Sequence, residues 1–275
     1  MKKILFSFLA ATIVMIFTGC NKTNDDGMGR LVVKITDAPF PVDNVESAAV
    51  TLTKVEIRKA GDGINDGNPF MVLWEGTETI NLLDLRNGVV ERLIDLEIPA
   101  GEYNLLRLYV DEASMKIKDG DNYTVKVPSG KQTGIKIFIR PGIVVEGGLT
   151  SELLLDFDLS RSFVMRGSTV SPSGIKGFIF KPVIRAVNNS TAGRLEGKIT
   201  DKDNIKIKEA SILVRQDTLV ASAIADTMGY YAIIGLPAGT YSVIAAKENF
   251  DTITVDDVKI ISGNRTILNF ILPKK

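Results

Sequence analysis

The chain has 275 residues, long enough for two domains each with its own core, and its 45% hydrophobic content is that of a globular protein. Its 33 basic residues balance 33 acidic ones, so there is no basic surface to neutralise a phosphate backbone, and nucleic acid is excluded as a partner. Histidine is absent and cysteine occurs once, which removes the usual general base at neutral pH, any intramolecular disulfide, a thiolate zinc site and a Cys–His pair; no cofactor or metal is expected.

Met1-Lys2-Lys3 is a short positive start to an apolar run from Ile4 to Phe17. That run falls short of the roughly 20 apolar residues a bilayer core demands and fits a signal peptide. Phe17-Thr18-Gly19-Cys20 resembles the lipobox read by lipoprotein signal peptidase, with Phe17 where the motif usually has Leu. The resemblance implies that residues 1–19 are removed and that Cys20 carries a diacylglycerol thioether and an amide-linked acyl chain such as palmitate. The mature chain then has a net charge of −2. Two or more acyl chains, at about 0.8 kcal/mol per buried methylene, anchor it to a membrane without spanning. The expected location is the cell envelope, at the periplasmic or surface face of the outer membrane. Residues 20–28 read as a polar tether; the nine residues after Cys20 reach about 15–18 Å r.m.s..

From Leu31 the pattern is strand after strand. Leu31, Val33 and Ile35 alternate with Val32, Lys34 and Thr36; Tyr123, Val125 and Val127 alternate with Thr124 and Lys126; Ile135, Ile137 and Ile139 alternate with Lys136, Phe138 and Arg140. A period of two puts one face on a core. Gly61-Asp62-Gly63, Asn65-Asp66-Gly67-Asn68, Asn87-Gly88 and Asp119-Gly120-Asp121-Asn122 punctuate the strands as turns. Ala48, Val50 and Leu52 share a face that Val55 and Ile57 miss, which predicts a β-bulge near Thr53-Lys54. Gly88 to Leu96 is the one stretch that allows a short helix.

Residues 188–192 read as a linker, short, polar and core-free, which predicts sandwiches that fold independently. Beyond it, Leu195, Gly197 and Ile199 open a second alternating series closed by Leu268, Phe270 and Leu272, leaving room for about seven short strands. The halves also echo each other. Ile98-Pro99-Ala100-Gly101-Glu102-Tyr103 recurs as Leu236-Pro237-Ala238-Gly239-Thr240-Tyr241, and Ile35-Thr36-Asp37 recurs as Ile199-Thr200-Asp201. The order is the same in both, so the expectation is an all-β protein of two related β-sandwich domains in tandem, residues 29–187 and 193–275, the first enlarged by insertions.

Gly29-Arg30-Leu31-Val32-Val33, Thr36-Asp37-Ala38-Pro39, Leu82-Leu83-Asp84-Leu85, Pro99-Ala100-Gly101-Glu102-Tyr103, Leu155-Asp156-Phe157-Asp158 and Lys181-Pro182-Val183-Ile184-Arg185 make residues 29–187 similar to the bacterial lipoprotein family called domain of unknown function 4382. That resemblance implies export and no known activity. Gly197-Lys198-Ile199-Thr200-Asp201, Asp226-Thr227-Met228-Gly229-Tyr230-Tyr231 and Leu236-Pro237-Ala238-Gly239-Thr240-Tyr241 make residues 193–275 similar to the carboxypeptidase regulatory-like domain. It implies a transthyretin-like sandwich grouped with carbohydrate-binding folds, without any peptidase active site.

Few residues invite chemistry. Asp156 and Asp158 lie two apart on one strand, and paired carboxylates about 5–9 Å apart do glycosidase work. Arg161, Ser160 and Ser162 follow at once, which points instead to a salt-bridged strand end. Asp62 to Asn68 is rich in calcium-type ligands but lacks the third-position acid and closing Glu of an EF-hand. Asp201, Asp203 and Asn204 read as a turn. Lys198 and Asn269 sit where isopeptide-forming sandwiches place their pair, but the alternation points Lys198 to solvent. Asp217-Thr218-Leu219, Asp226-Thr227-Met228 and Asp251-Thr252-Ile253 have the Asp-Thr-apolar form of a bacterial O-glycosylation signal. Trp74 ends a strand; it is read either as a core residue under a loop or as a rim ring for a sugar or a protein. The sequence therefore predicts a non-catalytic adhesion or binding module with glycan as first partner and an envelope protein, engaged through sheet edges, as the alternative. Oligomeric state is not readable.

Overall fold

The computed structural model describes residues 27–38, 45–61, 69–127, 132–167 and 174–275. Cys20, residues 21–26 of the expected tether and residues 62–68 lie outside the described residues, whereas Met28, the last tether residue, opens the first strand. Eleven strands come first: β1 (Met28–Ala38), β2 (Val45–Lys59), β3 (Met71–Asn81), β4 (Glu91–Pro99), β5 (Gly101–Ile117), β6 (Asn122–Lys126), β7 (Ile135–Val145), β8 (Thr150–Asp158), β9 (Phe163–Gly167), β10 (Ile175–Phe180) and β11 (Ile184–Asn188). A single turn, α1 (Leu159–Ser162), joins β8 to β9. Eight more follow where the sequence pointed to about seven: β12 (Gly193–Thr200), β13 (Ser211–Arg215), β14 (Leu219–Ile224), β15 (Tyr230–Leu236), β16 (Gly239–Ala246), β17 (Ile253–Ile260), β18 (Arg265–Ile267) and β19 (Phe270–Ile271).

The first set forms one folded-over sheet in the order β3-β2-β5-β7-β11-β8-β1-β4, with β6 against β5 and a separate β9-β10 hairpin. Its two halves enclose a core built from the alternating residues, among them Leu31, Val33, Ile35, Ile137, Ile139 and Phe157, each at most 3% exposed. The second set makes two facing sheets, β14-β13-β16-β17 and β15-β12-β18 with β19 beside β12. They enclose a separate core that includes Leu195, Ile199, Tyr231, Val243 and Phe270.

The predicted bulge is present. The register of β2 slips between Leu52 and Lys54 against both β3 and β5, so Val50, Leu52, Val55 and Ile57 all turn inward. The helix allowed over Gly88 to Leu96 does not form. Glu91–Pro99 is strand β4, because Ile94 and Ile98 alternate into the core and the whole segment pairs antiparallel with β1. Strand pairing outweighs a short apolar pattern that fits either period.

The internal echo is structural. β1 lies between antiparallel β4 and parallel β8, as β12 lies between antiparallel β15 and parallel β18 and β19. Gly29 and Gly193 sit at the start of these central strands, and a methyl group on either would press on a backbone carbonyl, Glu146 O or Ile261 O. After the repeated Pro-Ala-Gly turns, the Tyr103 hydroxyl donates to Pro99 O at 2.6 Å and the Tyr241 hydroxyl donates to Pro237 O at 2.7 Å. One corner device thus closes the same turn twice.

Candidate functional site

Strand β8 brings Asp156 and Asp158 to the end of the first sheet, beside Thr36 and Ala38 of parallel β1. Asp156 faces Arg185 directly across the antiparallel β8–β11 pair. The Arg185 guanidinium donates twice to Asp156 Oδ2, at 2.7 and 3.2 Å. Burial pushes the Asp156 carboxyl up, against the pull of Arg185. Asp158 caps α1: it accepts from Arg161 N at 3.0 Å, Ser160 Oγ at 2.7 Å and Arg161 Nε at 2.6 Å. Behind them, Asp37 Oδ1 accepts from Leu159 N at 3.3 Å, and its Oδ2 is buried without a hydrogen-bond partner among the described residues. Burial first, then the charges of Asp156 and Asp158, raise the Asp37 carboxyl well above its ordinary range.

Arg185 also reaches the other sandwich, donating from Nη1 to Gly235 O at 2.8 Å. Gly235 closes β15 with φ +68°, and a methyl there would lie 2.6 Å from Leu154 Cδ2. Val220 and Ala221 of β14 complete a cavity of about 20 Å³ over Asp156 and Asp158. That volume holds about one water and no sugar ring. The segment 188–192 is likewise tied down: Asn189 N donates to Glu152 O, Glu152 N donates to Ser190 Oγ, and Asn189 Nδ2 donates to Glu152 Oε2. The acid pair is therefore engaged in salt bridges within the first sandwich, and Arg185 carries a hydrogen bond from that network to the second. Sequence reading found the ion pairing to Arg161 but missed Arg185, whose link to Gly235 spans 50 residues.

Trp74 is half-buried on β3 against the first core, and its ring lies over Gly76, where an added methyl would meet Cζ2 at 2.8 Å. Asp201 Oδ1 accepts from Asp203 N and Ile205 N, both at 2.9 Å, and so holds a turn as expected. Lys198 is exposed, and Asn269 Oδ1 accepts from its backbone N–H at 2.9 Å. Thr218, Thr227 and Thr252 are all exposed. Among the described residues no group of three or more carboxylate or thiol ligands is placed to hold a metal.

An all-β fold with two separate cores defines the class, a tandem of β-sandwich modules. Residues 28–182 match the family described as domain of unknown function (DUF4382), and the chain belongs to that family. Residues 194–273 match the carboxypeptidase regulatory-like domain. No curated protein matches the chain. Among solved structures, a type II cohesin–X-dockerin complex from Acetivibrio cellulolyticus is similar at 23% identity and TM-score 0.23, over 28% of this chain and 52% of that one. This chain thus spans about half the length of that relative. The shaft pilin SpaA of Lactobacillus rhamnosus GG is similar at 8% identity and TM-score 0.25, over 90% of this chain and 98% of the pilin. The major pilin subunit BcpA of Bacillus cereus is similar at 12% identity and TM-score 0.27, over 90% and 71%.

Proposed function

We propose that the chain is a non-catalytic lipoprotein, held through Cys20 at the outer membrane, that binds glycan at the cell envelope. The observation that carries this reading is the engagement of the acid pair. Asp156 and Asp158 are tied to Arg185 and Arg161 in a small cavity also lined by Val220 and Ala221 of the second sandwich, so they present no free carboxyl to a substrate. A glycosidase needs one carboxyl free to protonate a leaving group and another open to the sugar ring. The second sandwich carries half-exposed Ser211, Leu213, Ser242 and Ile244 on the outward phase of its β14-β13-β16-β17 sheet. The lipid anchor expected at Cys20 places that face at the envelope. A glycan array with the chain from residue 20, made soluble by Cys20→Ser, tests the reading beside a pull-down from envelope extract. Saturable glycan binding supports it; a clean array with one specific protein partner replaces it with the adhesion or assembly alternative.

A further inference from the structure

The outward face of the second sandwich has a depression. Strand alternation turns Ile212, Val214, Val243 and Ala245 into the core. It sends Ser211 and Ala246, which are paired neighbours in register, to the other side. Both side chains are small, so the sheet surface is low at that point. The segment after β16 rises beside it. Asn249 takes a left-handed backbone, φ 65°, and Phe250, half-buried against the second core, lines the depression. Hydrogen bonds from Asp251 N to Pro273 O at 2.9 Å and from Lys275 N to Asn249 O at 3.1 Å hold this wall in place. Between floor and wall lies a groove of about 340 Å³, open to solvent.

Its lining selects by chemistry. Among the lining side chains two carboxylates, Glu209 and Glu248, offset two ammonium groups, Lys247 and Lys275. Glu209 is already engaged by Lys247 at 3.1 Å. The Ser211 and Thr252 hydroxyls and the Glu248 carboxylate have no side-chain hydrogen-bond partner among the described residues. A peptide strand docks by pairing with a free sheet edge. The groove instead meets the sheet at the ends of β13 and β16, at Ser211 and Ala246, and each of these strands is paired on both sides. The ligand that fits offers hydroxyls that both donate and accept, and an apolar C–H face for an aromatic ring. That description is a saccharide.

We propose that this groove is a saccharide subsite, with Phe250 as the stacking surface and Ser211, Thr252 and Glu248 as the hydrogen-bonding groups. The assignment rests on the glycan reading above and moves its contact from Trp74 to the second sandwich. The test uses the Cys20→Ser chain from residue 20 and four neutral probes: cellohexaose, xylohexaose, mannohexaose and maltohexaose. At least one hexaose binds saturably by titration calorimetry, and Phe250→Ala weakens it about tenfold or more. Ser211→Leu fills the floor from a half-exposed strand position, and weakens binding as much while leaving the melting temperature in place. Trp74→Ala leaves the affinity unchanged. Hexaose binding that survives both Ser211→Leu and Phe250→Ala overturns the groove and leaves the glycan reading standing. A wild-type chain that binds none of the four overturns the saccharide assignment, and a clean glycan array beside it overturns the glycan reading as well.

Discussion

Arg185 donates one hydrogen bond to Gly235 O at 2.8 Å while two others hold Asp156, so a single guanidinium ties the last strand of the first sandwich to the end of β15 in the second. The planar fork makes this possible; an ammonium group has no such geometry. Replacing Arg185 leaves Asp156 buried without its cation, which costs about 3–5 kcal/mol. Arg185→Met is expected to lower the melting temperature and to let the two sandwiches tumble separately. Arg185→Lys is expected to restore them only in part, because a single ammonium nitrogen replaces three donor nitrogens set apart in one plane. Heteronuclear relaxation of the two sets of amides reads both effects, and a common correlation time in Arg185→Met would contradict the role given to this side chain.

Gly235 is the other half of the joint. Its left-handed backbone costs any L side chain about 1–2 kcal/mol. A methyl group there also meets Leu154. Gly235→Ala is therefore expected to destabilise by about 2 kcal/mol or more in chemical denaturation. Gly263 has the same hand, φ +67°, but no atom within 4 Å of an added methyl, so Gly263→Ala carries the backbone cost alone. Equal losses at the two positions would remove the packing part of the argument.

Asp37 gives the chain a pH dependence of known sign. Its folded-state carboxyl titrates well above its ordinary range, chiefly through burial. The folded state thus holds this proton more tightly than the unfolded chain. Stability falls as pH rises from the ordinary carboxylate range toward the raised folded value. Asp37→Asn removes the titration. It should melt higher than the parent at pH 7.5, and the gain should vanish near pH 3, where both forms are neutral at this position. A gain that is the same at both values would show that proton linkage is not its cause.

The repeated tyrosine corner predicts matched costs. Tyr103→Phe and Tyr241→Phe each remove one hydrogen bond to a proline carbonyl. Each should cost about 1 kcal/mol. Separate unfolding of the two domains in the Arg185→Met background would assign each loss to its own sandwich.

Cys20 is expected to decide where the chain resides. Membrane fractionation of Cys20→Ser should move the protein from the membrane fraction to the soluble one. Retention equal to wild type would remove the anchor.

Much of the fold was legible because strands announce themselves by period. Ala48-Val50-Leu52 followed by the out-of-phase Val55-Ile57 located the bulge to within a residue, since only an extra residue brings both sets inward. The repeated Pro-Ala-Gly-x-Tyr located the two corners. The stretch before the first corner misled because Val89, Val90, Leu93 and Leu96 fit a helical spacing, and only the pairing with β1 decides for a strand. The joint was not legible. Arg185 follows Ile184 in an ordinary strand, and nothing local signals that Gly235, fifty residues on, will accept from it. The groove leaves only a faint trace, small Ser211 and Ala246 on the outward phase of strands whose inward phase is aliphatic, whereas the single tryptophan drew attention to the first sandwich.

The central claim is binding without turnover. Its most direct test incubates the soluble mature chain at high concentration with each hexaose that it binds, while reducing ends are counted alongside calorimetric affinity. The account predicts saturable binding, no reducing ends above buffer, and unchanged affinity in Asp156→Asn when that variant remains folded. Release of new reducing ends by the wild type, abolished in Asp156→Asn, would contradict it.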